Sequence, residues 1–259
     1  MWRWRSSVVA TILVGLVVFS CGTTKVKPKM TPEEQFEYAK KLFEKKDYLK
    51  AKEQFTILVL NYPGHSVADK AQFYLAETHF KLKEYVLAAA EYEKLIRSYS
   101  QSEYVDDAQY KIGMCYFKLS PNYALDQEYT HKAIAEFQRF LEDYPNSNLV
   151  PEVEKQLAKC REKLAKKEYK NGELYYKMAA YKAAIIYFDS VLENYYDTKY
   201  APKALFKKAE SLFKLKQYSE SQNVFGAVIQ KYPQSTLAKR AQIYLRKIEK
   251  LMAKQKKER

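Results

Sequence analysis

The chain predicts an all-α protein, a right-handed solenoid of about five helix pairs closed by a C-terminal helix. Three observations carry that prediction. Only 6 glycines and 8 prolines punctuate 259 residues, too few for a chain of many short strands. Small residues recur at Ala39, Ala76, Gly113, Gly172 and Ala209, spaced by 37, 37, 59 and 37, and self-similarity at such a period is the mark of stacked repeats. A turn phrase recurs too, as Asn61-Tyr62-Pro63-Gly64-His65-Ser66, Ser98-Tyr99-Ser100-Gln101-Ser102, Asp143-Tyr144-Pro145-Asn146-Ser147, Asn194-Tyr195-Tyr196-Asp197-Thr198 and Lys231-Tyr232-Pro233-Gln234-Ser235. With 24 Tyr and 13 Phe the chain has the apolar surface to build a core.

The first element is an address. Trp2 to Arg5 make a basic start, and Val8 to Phe19 form an apolar run of twelve residues, short of the ~20 that a membrane-spanning helix needs. Residues 1–20 therefore read as a signal segment. It ends Val18-Phe19-Ser20-Cys21-Gly22, which resembles the lipobox of bacterial lipoproteins, with the thiol of Cys21 carrying the lipid; the alternative is an ordinary signal peptide with an incidental cysteine. Glycine after the cysteine resembles the sorting signal for the outer membrane. Residues 21–30 hold no acid and no apolar periodicity, as expected of a flexible tether.

The repeats follow, at about 32–65, 69–102, 106–147, 150–198 and 202–235, with a capping helix at 236–259. Within each, the small residue lies on a first helix. A pair four residues apart marks the second: Ala51 and Phe55, Ala88 and Tyr92, Ala133 and Phe137, Ala184 and Phe188, Ser221 and Phe225, one helical turn and so one face. Asp47, Glu84 and Gln217, each before a Tyr, mark the turn between the two helices. The Ser or Thr of each turn phrase is expected to cap the next first helix. Two departures explain the long interval: an insertion of about eight residues from Ser120 to Gln127, and an extended helix over Leu149 to Tyr176. Small, small, aromatic and then Pro resembles the tetratricopeptide pattern.

Charge and chemistry narrow the function. Lys and Arg outnumber Asp and Glu by 45 to 31, a formal +14, and 43 to 31 once residues 1–20 are removed. A secreted, anchored protein does not meet the nucleoid, so nucleic acid is excluded as a partner. No phosphate loop, nucleophile elbow or metal spacing occurs, and His65, His79 and His131 fall in different repeats or turns. No catalytic residue, metal or cofactor is expected. Cys115 and Cys160 are expected to be buried free thiols on helices of different repeats.

The lipobox, the five repeats, the insertion followed by Asp126-Gln127, and Gly172-Glu173-Leu174-Tyr175-Tyr176-Lys177 opening the fourth repeat together resemble the BamD family, the lipoprotein subunit of the outer-membrane β-barrel assembly machinery. The resemblance implies a non-catalytic scaffold, lipid-anchored on the periplasmic face of the outer membrane. Its C-terminal repeats, with Glu173, Tyr176, Lys177, Phe206 and Phe213 as candidates, dock on the POTRA domains of the BamA-like barrel subunit. Its N-terminal repeats receive unfolded β-barrel substrates, and accessory lipoproteins are further partners. A tetratricopeptide lipoprotein serving cell division or peptidoglycan synthesis is the alternative scaffold.

Two aromatic ladders are candidates for a binding groove: Phe36, Phe73, Tyr110, Tyr169 and Phe206, and, seven residues on, Phe43, Phe80, Phe117, Tyr176 and Phe213. Either both pack between neighbouring repeats, or the first two repeats leave part of Phe36, Phe43, Phe73 and Phe80 exposed beside Lys40, Glu77 and Lys81. In the second case rings take the apolar side chains of a peptide and lysines its terminal carboxylate.

Overall fold

The computed structural model describes residues 30–257. The signal segment, Cys21 and nearly all of the tether lie outside the described residues. Among these, every regular element is a helix: α1 (Pro32–Glu44), α2 (Tyr48–Asn61), α3 (Ala68–Lys81), α4 (Tyr85–Ser98), α5 (Val105–Leu119), α6 (Glu128–Asp143), α7 (Val150–Lys177), α8 (Tyr181–Asn194), α9 (Ala201–Lys214), α10 (Tyr218–Lys231) and α11 (Thr236–Lys257). Each helix packs chiefly on the ones before and after it in the chain, so the pairs α1/α2 to α9/α10 stack as a solenoid with α11 against the last.

The small residues set the separation within a pair. Ala39, Ala51 and Phe55 are fully buried, as are Ala209, Ser221 and Phe225, and a methyl or less on the first helix lets the aromatic of the second lie flat against it. In the third and fourth pairs even a methyl is too large: a Cβ on Gly113 would stand 2.5 Å from the Phe137 ring, and one on Gly172 2.5 Å from the Phe188 ring. Five apolar clusters result, each bridging a pair and the start of the next.

The helix ends follow their own chemistry. Thr31 and Glu34 form a capping box at the start of α1. After α1, α3, α7 and α9 the chain turns through a left-handed residue, Lys46, Lys83, Ala179 and Lys216, with φ of 63°, 64°, 58° and 61°. There the amides of Lys46 and Asp47 donate back to the carbonyls of Phe43 and Leu42 at 2.9 Å, the double bond of a Schellman end.

The turn-phrase serines correct an expectation. The N-caps of α3, α5, α7 and α9 are Val67, Tyr104, Leu149 and Tyr200, none with a side-chain cap. Hydrogen bonds of the i to i+3 kind carry the turn a few residues past the serine before the helix begins. The hydroxyls of Ser102 and Ser147 instead donate to Asp69 and Asp106, both at 2.7 Å, joining each turn to the first helix of the pair before it. Ser235 alone among these serines accepts from the helix it precedes, from the amide of Ala238 at 3.1 Å.

The long interval is resolved. It exceeds the repeat by 22 residues; the connection at 120–127 with the longer α5 and α6 accounts for eight, and α7, at 28 residues instead of 14, accounts for fourteen. Fourteen residues are about four helical turns, so both halves of α7 present the same face. Val153 and Cys160 join Phe137 and Phe140, while Ala165 and Tyr169 join Phe188. The connection is strapped to α7: Lys163 donates to the Ser120 hydroxyl at 2.6 Å, Lys167 to the Leu125 carbonyl at 2.6 Å, and the Lys166 ammonium lies 4.1 Å from the Tyr123 ring centre. Cys115 and Cys160 are buried free thiols; burial pushes them up to about 12 and about 11, which leaves them inert as nucleophiles.

Candidate protein-binding surface

The first helices α1, α3, α5, α7 and α9 carry both aromatic ladders, and the structure separates them. In the first ladder Phe36, Tyr169 and Phe206 are 6%, 7% and 1% exposed, so Phe36 and Phe206 are core rings rather than groove or docking residues. Phe73 and Tyr110 are half-buried, Phe73 stacked on Tyr104 at 4.6 Å. The reason is positional: these residues lie three before the small residue, on the face turned toward the second helix of their own pair.

The second ladder is half-buried throughout, and its surroundings repeat. Phe43, Phe80, Tyr176 and Phe213 each meet the tyrosine that opens the next helix, Tyr48, Tyr85, Tyr181 and Tyr218, at 5.2–5.6 Å between ring centres. The following first helix supplies a second contact. Tyr74 meets Phe43 at 5.6 Å and Tyr244 meets Phe213 at 5.3 Å; the ammonium groups of Lys111, Lys163 and Lys207 lie 5.2, 5.6 and 4.3 Å from Phe80, Phe117 and Tyr176. Sequence reasoning missed this Tyr-or-Lys position, although 74 and 111, and 207 and 244, stand one repeat apart.

Of the remaining N-terminal candidates, Lys81 is exposed and Lys40 is half-buried with its ammonium 5.9 Å from Tyr74. Glu77 departs from expectation: it is 7% exposed, accepts a hydrogen bond from the Tyr92 hydroxyl and is paired with Lys111. A carboxylate so enclosed ties α3 to α4 and α5 and is not offered to a ligand. Burial, reinforced by Glu77, raises Tyr92 well above the ordinary tyrosine value. The groove candidates that face solvent at least in part are thus Lys40, Phe43, Phe73, Phe80 and Lys81.

At the other end, α7, α9 and α11 enclose a cleft of about 440 Å³, lined among others by Tyr169, Glu173, Lys203, Phe206, Lys207 and Arg240. Buried Glu210 lies beneath it, paired with Lys207 at 2.6 Å and Arg240 at 3.4 Å and accepting from Tyr244 at 3.0 Å. Burial first, and then Glu210, pushes Tyr176 and Tyr244 up to about 12. On Glu173 burial works upward, but hydrogen bonds from Lys170 at 2.7 Å and Tyr169 at 3.0 Å outweigh it, and the carboxyl sits below its usual range. Lys203 lies 5.5 Å from the Tyr200 ring centre and makes no ion pair among the described residues. The cleft pairs aromatic walls with a surplus of cations. Lys177 is exposed beyond it, and Phe213 is half-buried on α9.

The histidines lie apart: His65 is 3.4 Å from Glu33, His79 is 2.6 Å from Glu84, and His131 is exposed on α6. A family model described as outer membrane lipoprotein, YfiO, matches residues 28–217. The chain belongs to the YfiO family. A tetratricopeptide repeat model also matches residues 203–235 of this YfiO-family chain. It is therefore a tetratricopeptide lipoprotein associated with the outer membrane and of the protein-interaction type. Among solved structures, the TPR2AB domain of yeast Sti1 in its pHSP90 complex is 15% identical, with 85% of this chain and 84% of that chain covered and a TM-score of 0.44. A tetratricopeptide repeat protein from Parabacteroides merdae is 17% identical, with 86% and 74% covered and a TM-score of 0.37. No curated protein matches the chain.

Proposed function

We propose that this YfiO-family protein is a non-catalytic scaffold of the outer-membrane β-barrel assembly complex, held on the periplasmic face by a lipid on Cys21. Residues 1–20 serve as its signal peptide and 21–30 as its tether. The observation that carries the reading is the family match over 28–217, which takes in the first four pairs, α9 and both candidate surfaces apart from the α11 wall of the cleft. The cleft of α7, α9 and α11 is the docking face for the POTRA domains of the barrel subunit: Lys203 and Arg240 meet acidic side chains, and Leu237 with the edges of Tyr169 and Tyr200 supplies apolar walls. Lys40, Phe43, Phe80 and Lys81 receive the aromatic, carboxylate-ended segment of an unfolded barrel protein.

Photo-crosslinking residues placed at Lys203 and at Lys81, in cells extracted with a mild detergent, test both assignments. A barrel protein bearing periplasmic domains is expected to crosslink to position 203, and newly synthesised barrel chains to position 81. Recovery of cell-division or peptidoglycan-synthesis proteins at both positions would replace the proposal with that alternative. Replacing Cys21 with Ser is expected to leave the chain unlipidated and mislocalised.

A further inference from the structure

We propose that the edge of the solenoid formed by the first two turns inside helix pairs, α1 to α2 and α3 to α4, rests on an anionic phospholipid surface, so that the folded body touches the bilayer as well as the anchor. The inference builds on membership in an outer membrane lipoprotein family.

Both turns present cations to water. Lys45, Lys46 and Lys83 are exposed and make no ion pair among the described residues. The turn acids are already engaged, Asp47 with Lys50 at 2.8 Å and Glu84 with Lys52 at 3.2 Å and His79 at 2.6 Å, and exposed Glu44 is outnumbered. The same edge carries apolar side chains that stay more than half open to water. Leu49 is 67% exposed, Val86 57% and Leu87 52%, all in the first turn of α2 or α4. Leu49 and Val86 are 37 residues apart, so they occupy equivalent places in adjacent pairs and lie along one edge.

Lysine at a helix C-terminus has a structural use, since it complements the helix dipole. That use explains neither the lysines held at left-handed φ, where glycine is less strained, nor the leucines and valine between them. Protein interfaces are poor in lysine at their centres. Apolar side chains interspersed with lysines are instead the composition of a surface that lies in the headgroup layer of an anionic membrane.

The anchor permits the contact. Residues 21–30 span at most about 36 Å, and α1, with 13 residues, is about 20 Å long. The tether therefore outreaches α1, and a lipid on Cys21 leaves the far end of that helix, with Lys45 and Lys46, free to meet the membrane that holds the lipid.

The test uses the full lipoprotein, reconstituted in vesicles of phosphatidylcholine alone or with about a third phosphatidylglycerol, and reads acetylation of individual lysines by a soluble reagent. Labelling of Lys46 and Lys83 is expected to slow by roughly fivefold on the anionic vesicles and to recover near 1 M salt, where charges are screened within a few ångströms. Exposed Lys155 and Lys239, on α7 and α11, are expected to keep their rates. A variant with Leu49→Ser, Val86→Ser and Lys46→Glu, all at exposed positions, is expected to restore rapid labelling of Lys83. Equal rates on the two vesicle types, or equal slowing at Lys155 and Lys239, would overturn the proposal. So would protection that appears only when the barrel subunit is reconstituted alongside, which would assign the edge to a protein. Flotation with neutral vesicles reads the acyl anchor separately, so failure of the lipoprotein assignment and failure of the edge are told apart.

Discussion

Gly113 and Gly172 differ from the alanines at the same repeat position by one carbon, and the rings of Phe137 and Phe188 occupy the place where it would go. Gly113→Ala and Gly172→Ala are each expected to lower stability by about 1–3 kcal/mol, since an overpacked core must move an aromatic ring. Gly226 in α10 has nothing within 4 Å of the same added carbon, so Gly226→Ala is expected to raise stability by about 0.5–1 kcal/mol through helix propensity. Urea unfolding of the three variants checks both signs. A second residue-scale case is Arg161, which donates to Asp197 at 2.6 and 2.9 Å and to the Asn194 carbonyl at 2.9 Å. The Arg161 hydrogen bonds hold the Asp197 carboxyl below its ordinary 3.8. A carboxyl with a depressed folded value stabilises fully above its unfolded value and loses the contribution as pH falls through the folded one. The stability gap between the parent and Arg161→Met is therefore expected to be constant near neutrality and to narrow below about pH 4, measurable by thermal unfolding across that range. The recurrence of small residues was legible at this scale. The burial of Phe36 and Phe206 stood there only as one of two alternatives, and the capture of Glu77 was not legible at all, because both depend on which ring or cation the neighbouring helix brings.

At the scale of the element, α7 is the departure with most consequence. Its doubled length was readable from the absence of Gly before Gly172 and from the excess of the long interval. Its two halves serve different clusters only because they are in phase. Inserting one alanine after Glu162 turns the C-terminal half by about 100°, swinging Tyr169 and Gly172 away from Phe188. The expected result is loss of the cooperative transition for the last two pairs, seen by near-ultraviolet dichroism, whereas a seven-residue insertion, close to two full turns, is expected to be tolerated better. The turn serines show where pattern reasoning fell short. A serine before a helix is a cap when the helix starts at the next residue, as at Ser235, but an added turn carries Ser102 and Ser147 out of reach of that role and toward an aspartate of the preceding pair. The Tyr-or-Lys position at 74, 111, 207 and 244 was hidden for a related reason: the two residue types share no hydropathy, only the ability to lie against a ring.

At the scale of the molecule, contacts run almost entirely between consecutive helices, so stability is a sum of local pairs and interfaces. Gly172→Ala is expected to speed hydrogen exchange in α7, α8 and their neighbours while leaving α1 to α3 unchanged; a uniform rise along the chain would mean that the stack unfolds as one body. Continuous α7 nonetheless links what local energetics separates. An unbroken helix of 28 residues resists bending and spans about 42 Å, so a tilt of about five degrees at its first turn moves its last by roughly 4 Å. It works as a rocker arm, with the third pair at one end and the wall of the C-terminal cleft at the other. A partner that levers the third pair is therefore expected to change the width of that cleft without touching it.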